Sequence, residues 1–248
     1  MRRPRLAVTL AYRDRHHLFH QEQVARLLTF FDRWVLVLGP FGEEWPDDGT
    51  AAIVRGLADR HPRQVLVEES TQPWRDPVDA LRAALLRMRP ELEELGGEAF
   101  LWRVDLDELW ELPALRTAEH ELLERGLDAG EFHATTYVGP ELTVAGEWGD
   151  QQRHRRLWRW SGQLAARHGS DLLCGGDGRV DLLTPTFERH VLTFAEDATR
   201  LALRYRHHAL LQRWHALQQR SYRDFPVPLA ELFGPAAAGL TDSQIQHL

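Results

Sequence analysis

Phe100–Trp110 reads FLWRVDLDELW, an apolar run that ends abruptly in three carboxylates at Asp105, Asp107 and Glu108. On an extended chain residues i and i+2 point the same way, so Asp105 and Asp107 at a strand's end present both carboxylates toward one spot. That geometry invites a hard divalent cation, Mn2+ or Mg2+. Two carboxylates cannot complete its shell, so water and substrate phosphate oxygens would supply the other ligands. Asp at a strand end also commonly caps a following helix. The eleven residues alone leave both readings open.

The flanks give the run its place. Arg5–Ala11 (RLAVTLA) is a strand candidate, followed by a helical pattern with Leu18, Val24, Leu27, Leu28 and Phe31 on one face. Trp34–Leu38 is a second strand, Ala51–Arg60 a helix and Gln64–Glu68 a third strand. Asp76 before Pro77 supplies an N-cap for a long helix marked by Val78, Leu81, Leu85, Leu86 and Met88 and ending near Gly96. Phe100–Val104 is then the fourth strand. Strands alternating with helices predict an α/β chain with a mostly parallel sheet, whose ligands bind beyond the carboxyl ends of the strands. The acidic cluster lies at such an end. From Glu131 the pattern changes to short strand-like pieces (FHATTYV, ELTV, RRLWRW), an antiparallel extension; HHALLQRWHALQQRSY reads as a late helix, and the Pro- and Ala-rich tail as loosely packed.

Composition narrows the chemistry. With 248 residues, 43% of them hydrophobic, the chain can bury a substantial core, and no apolar stretch approaches the roughly 20 residues of a membrane-spanning helix. The opening MRRPRLAVTLAYRDR has a basic flank and a short apolar run, but Arg13 and Arg15 stand where a signal peptide has small residues, so it reads as a strand. A net charge of -7 argues against a general nucleic-acid binder. Cys174 is the only cysteine, which excludes an intrachain disulfide and a multi-cysteine metal cluster and fits a reducing cytoplasm. All 30 basic residues are arginine, and lysine and asparagine are absent. An anionic substrate must therefore be held by arginine, backbone N–H groups, histidine or metal.

A bulky strand followed by D-x-D-E, fourth in an alternating chain without a P-loop or GxGxxG, resembles the GT-A fold glycosyltransferases, especially bacterial family-2-like members. The resemblance extends to an aromatic strand and Gly-Pro turn, FHATTYVGP at Phe132–Pro140, then RLWR at Arg156–Arg159, and a late histidine before a helix. It implies a GT-A, Rossmann-like catalytic domain over residues 1–225, with a nucleotide-binding half to about 112, an acceptor half from 113 and a tail over 226–248. It also implies metal-dependent transfer of a sugar from a nucleotide-diphosphate donor, a UDP-sugar first among them, to an acceptor hydroxyl, with inversion at the anomeric centre. Asp107 would then bind Mn2+ or Mg2+ directly, and Asp105 would hold it through water or touch the ribose. His207 or His208 would approach the metal from the C-terminal side, and Tyr12, Arg13, Asp14 and Glu68 would contact base or ribose. Where family-2 enzymes usually carry an Asp after the second strand, this chain has Gly39, Pro40, Phe41 and Gly42.

In that reaction charge builds on the departing diphosphate, and Arg156 and Arg159 are candidates for charge-assisted hydrogen bonds to it. The acceptor needs a base, for which Glu147 and Asp150 in GEWGD and Glu188 in FERH are available. Trp148 and Trp158 are candidates for stacking on a sugar or for burial in the core. Three other readings compete. A haloacid-dehalogenase-like phosphatase closes its first strand with D-x-D and needs Thr or Val where Leu109 stands. A nucleotidyltransferase would show a basic or Gly-rich phosphate loop, and YRDRHH lacks glycine. A degenerate GT-A-like binding domain has little need of intact Asp105 and Asp107.

Overall fold

The computed structural model describes residues 3–11, 21–39, 49–75, 77–137, 143–144, 152–162, 165–166, 173–174 and 178–190. Contacts divide the chain into two units, residues 1–136 with 145–190 and residues 137–144 with 191–248. In the second unit the described secondary structure includes a two-residue strand, β7 (Thr143–Val144).

The first unit is built on four parallel strands, β1 (Arg5–Ala11), β2 (Arg33–Leu38), β3 (Val65–Glu69) and β4 (Ala99–Arg103). The helices between them are α1 (Gln21–Phe30), α2 (Thr50–Arg60) and α3 (Pro77–Glu94). Beyond β4 come β5 (Glu108–Leu109), α4 (Leu112–Glu124), β6 (Ala129–Tyr137) and β8 (Arg153–Trp160). Then follow β9 (Ala165–Ala166), β10 (Leu173–Cys174), β11 (Val180–Leu182) and β12 (Phe187–His190). The sheet runs β3-β2-β1-β4-β8-β6-β12-β5, with β11 added beside β6, while β9 and β10 form a separate antiparallel pair. Pairing is parallel from β3 to β4 and turns antiparallel at β8. The expected α/β order with an antiparallel extension is therefore present.

Alternation along the strands sorts the core into two layers. On β2, Trp34, Leu36 and Leu38 join the layer of Val24, Leu27 and Phe30 from α1 and Val54 and Leu57 from α2. Val35 and Val37 point the other way, onto Val78, Leu81, Leu85 and Met88 of α3. Leu86 departs from the expected stripe: one position, or about 100°, beyond Leu85, it leaves the buried face and is 61% exposed. α3 ends as expected, with Gly96 and Gly97 at positive φ and their N–H groups bonded to the carbonyls of Glu93 and Leu92. Trp158 is buried in the α3 layer, so the sugar-stacking option for it is withdrawn.

Between the acidic cluster and Glu131, where no element was expected, the structure has α4. Pro113 lies in its first turn, and Leu115, Ala118 and Leu122 recur at helical spacing to pack beneath the sheet. Glu119 shares this buried face because Arg5 meets it through Nε at 2.8 Å and Nη2 at 2.5 Å, and Trp102 Nε1 donates to it at 3.2 Å. Without such partners a carboxylate there would be costly to bury.

Candidate active site

The parallel register places Ala11, Leu38 and Glu69 at one edge of the sheet, with Arg103 and the acidic cluster at the same edge of β4. The chain leaves β4 under tight control. Val104 donates its N–H to Val8 O at 3.1 Å, and its carbonyl accepts the Thr9 hydroxyl at 2.5 Å. Thr9 in turn accepts from Trp34 Nε1 at 2.9 Å. The next residues do not stay extended. Glu108 donates its N–H to Asp105 O at 3.1 Å, and its carboxylate accepts the Asp105 N–H at 3.2 Å, so Asp105–Glu108 is a turn closed from both sides by Glu108. The two aspartates are thus set by a turn, and the i, i+2 strand geometry does not apply to them.

Each carboxylate of the motif faces an arginine. Glu108, fully buried, takes Arg156 Nη2 at 2.6 Å and Nε at 2.8 Å and also accepts Trp110 Nε1 at 3.2 Å. Asp105 takes Arg156 Nη2 at 3.1 Å and Arg103 Nη2 at 3.2 Å. Among the described residues Asp107 has a single, longer contact, to Arg189 Nε at 3.3 Å. Burial pushes the Asp105 carboxyl up, but Arg103, Arg156 and Arg189 outweigh it and hold it at about 2. Glu108 goes the other way, because burial, with Asp105 and Asp107 adding to it, prevails over Arg156. Burial lowers Arg156 too, yet Glu108 and then Asp105 hold it above its ordinary value.

Other expected site residues are distributed unevenly. Arg156 joins the cluster, but as a buried anchor of Glu108 and Asp105. Arg159 lies opposite Phe100, three residues along β8 and roughly 10 Å from Arg156, toward the far end of β4. Glu68 is on the carboxyl edge, but three strands from β4, roughly 14 Å across the sheet. Glu188 pairs with Leu109 while Arg189 pairs with Glu108, so strand alternation turns Glu188 to the face opposite the Arg189–Asp107 contact. Tyr12, Arg13, Asp14, Glu147, Asp150, His207 and His208 lie outside the described residues. Arg103 and Arg189 were not singled out from the sequence. Arg103 sits two residues before Asp105, a readable signal; Arg189 was concealed by distance along the chain.

His154 is the cluster's buried histidine, edge-on to Phe187 with ring centroids 5.5 Å apart, and its Nε2 has no hydrogen-bond partner. Burial, then Arg156 and Arg189, lower it from 6.5 to about 2. Because the unfolded chain takes up this proton first, the neutral ring's contribution to stability is complete above about pH 6.5 and is lost as pH falls toward 2. The expected loss between pH 7 and 5 is roughly 2 kcal/mol. Denaturant unfolding at several pH values should show that slope, and His154→Gln should flatten it; an unchanged slope in the variant contradicts the assignment.

Mn2+ or Mg2+ can be tested against these side chains. Among the described residues no group of three or more His, Cys, Asp and Glu is arranged to hold a metal. A cation completed by water and substrate phosphate needs only one or two carboxylates. Asp107, held by one 3.3 Å contact, fits that role, and Asp105, held by two guanidiniums, fits a water-mediated or orienting one. Glu108 is too deeply committed to serve.

Solved structures share this architecture. The mannosyltransferase PcManGT from Pyrobaculum calidifontis, in complex with GDP-Man and Mn2+, is 16% identical over 86% of this chain and 65% of that one, with a TM-score of 0.52. TarS 1-349 from S. aureus, in complex with UDP-GlcNAc, is 12% identical over 92% of this chain and 69% of that one, with a TM-score of 0.51. This chain therefore spans slightly less than two thirds of the mannosyltransferase. No protein-family model and no curated protein matches the sequence. What the likeness establishes is an α/β fold with a parallel first half and an antiparallel second half. It is the GT-A fold, as the DLDE strand end implied.

Proposed function

We propose that this chain is a glycosyltransferase that moves a sugar from a nucleotide-diphosphate donor to an acceptor hydroxyl, with inversion, using Mn2+ or Mg2+ bound at Asp107. The observation that carries the reading is the DLDE turn at the carboxyl edge of a GT-A sheet, where Asp107 alone among the three carboxylates is lightly held. When bound, the cation supplies Lewis-acid neutralisation of charge on the departing diphosphate.

The chain's own residues do the positioning. Glu108 and Arg156 close and brace the turn, and Thr9 fixes its stem through the Val104 carbonyl. Asp105 stays ionised across the physiological range because three arginines outweigh its burial, so it can orient a ribose hydroxyl or a metal-bound water. Tyr12, Arg13 and Asp14, following β1, are proposed contacts for base and ribose, and His207 or His208 for the cation. Glu147 and Asp150 are the proposed bases for the acceptor hydroxyl; Glu188, on the opposite strand face, is a weaker candidate. The complexes of PcManGT with GDP-Man and Mn2+ and of TarS with UDP-GlcNAc support this class of donor.

The test is donor breakdown. The full chain, incubated with UDP-, GDP-, dTDP- and CDP-sugars, is expected to release nucleoside diphosphate from one donor class with Mn2+ and to stop in excess chelator. No release from any donor over a long incubation, by protein shown to be folded, contradicts the proposal.

A further inference from the structure

Of the three arginines that face the motif, two are fixed and one is not. Arg156 is buried between Glu108 and Asp105, and Arg103, also largely buried, grips Asp105 through Nε and Nη2. Arg189 has Asp107 as its hydrogen-bonding and ion-pair partner at 3.3 Å, and its side chain remains 25% exposed beside an Asp107 that is 12% exposed. Its backbone is well anchored. Phe187, two residues earlier on β12, stacks on Trp110 with centroids 4.4 Å apart, and β12 pairs with β5 so that Arg189 stands opposite Glu108. The root is held, and the guanidinium lies at the end of a long, partly exposed side chain with one 3.3 Å contact among the described residues.

We propose that Arg189 is the resident counter-cation of Asp107, which leaves it when the divalent cation binds and passes to the donor's diphosphate. The inference rests on the metal-at-Asp107 reading above. A guanidinium and a doubly charged ion cannot both contact one carboxylate without repulsion between them. The ion alone must therefore displace Arg189 from the one carboxylate that, among the described residues, it pairs with directly. A diphosphate supplies another anion, and guanidinium–phosphate hydrogen bonds are strong and directional. Cation and diphosphate thus bind cooperatively, and the same side chain opposes the first and favours the second. Linkage makes the coupling equal in both directions.

The test needs no turnover. Mn2+ binding to the full chain is titrated by the spin-resonance signal of the free ion, alone and with saturating UDP or GDP, for the wild type, Arg189→Gln and Arg189→Lys, each verified by its thermal melt. Arg189→Gln is expected to tighten Mn2+ alone by about fivefold, the scale of a lost ion pair. It should weaken diphosphate binding in the presence of Mn2+ by about tenfold, the scale of a lost charge-assisted hydrogen bond. Arg189→Lys, which keeps the charge but not the fork, should fall between. Unchanged or weaker Mn2+ binding in Arg189→Gln, or unchanged coupling in both variants, overturns the proposal and leaves the metal reading standing. A wild type that binds no Mn2+ with either diphosphate overturns both.

Discussion

Asp107→Ala is expected to reduce Mn2+-dependent diphosphate binding to the level seen in excess chelator, a loss of about 100-fold or more. The reasoning is comparative. Outer partners of a metal site are worth roughly 10–100-fold in affinity, and a direct ligand is worth at least as much. Asp107 is also the one carboxylate of the motif with neither a buried bidentate pair nor a backbone contact, so removing it forfeits a single 3.3 Å ion pair. Stability should change by no more than about 1 kcal/mol. Calorimetric binding and a thermal melt on the same sample check both halves. Unchanged diphosphate affinity would defeat the metal reading, and a large drop in melting temperature would show that Asp107 is structural.

Glu108→Ala and Arg156→Ala are expected to behave in the opposite way, losing stability first. Glu108 is fully buried, and its carboxylate serves Arg156, the Trp110 indole and the Asp105 N–H. Arg156→Ala leaves the Glu108 charge buried without its ion-pair partner, and Glu108→Ala leaves Arg156 with Asp105 alone, so the cost is about 3–5 kcal/mol for the first and toward the lower end of that range for the second. For a chain of this length that corresponds to a melting temperature lower by roughly 6–20 °C. The double substitution Glu108→Leu with Arg156→Met should be less harmful than either alanine variant, because it removes both charges and keeps the volume. A scan of the four proteins decides it. If Arg156→Ala melted like the wild type but lost diphosphate affinity, Arg156 would be the substrate contact that its place in RLWR suggested.

Apolar runs and helical stripes made the first half of the fold legible. They placed β1 through β4 and the helices between them, because burial on both sheet faces demands nearly unbroken apolar strands. They failed at α4, where the charged Glu119 on the buried face masks the stripe of Leu115, Ala118 and Leu122 and is tolerated through partners that include Arg5, distant in sequence, and Trp102. At the site, the motif was legible as a cluster but not as a shape. Nothing local announces that Glu108 bends 105–108 into a turn instead of leaving Asp105 and Asp107 on an extended strand. The supporting arginines are hidden for the same reason: Arg156 meets Asp105 and Arg189 meets Asp107 across some 50 and 80 residues, through the order of β8 and β12 in the sheet. Proximity in sequence misled as well: Arg156 and Arg159 are neighbours in RLWR, but only the first reaches the acidic turn.

The most direct test of the account is a calorimetric titration of the full chain with UDP, GDP, dTDP and CDP, each in Mn2+ and again in excess chelator. One diphosphate is expected to bind in Mn2+ and to lose that binding in chelator, which would also name the donor's nucleotide. Binding of none of the four by verified folded protein, or equal binding with and without metal, would contradict it.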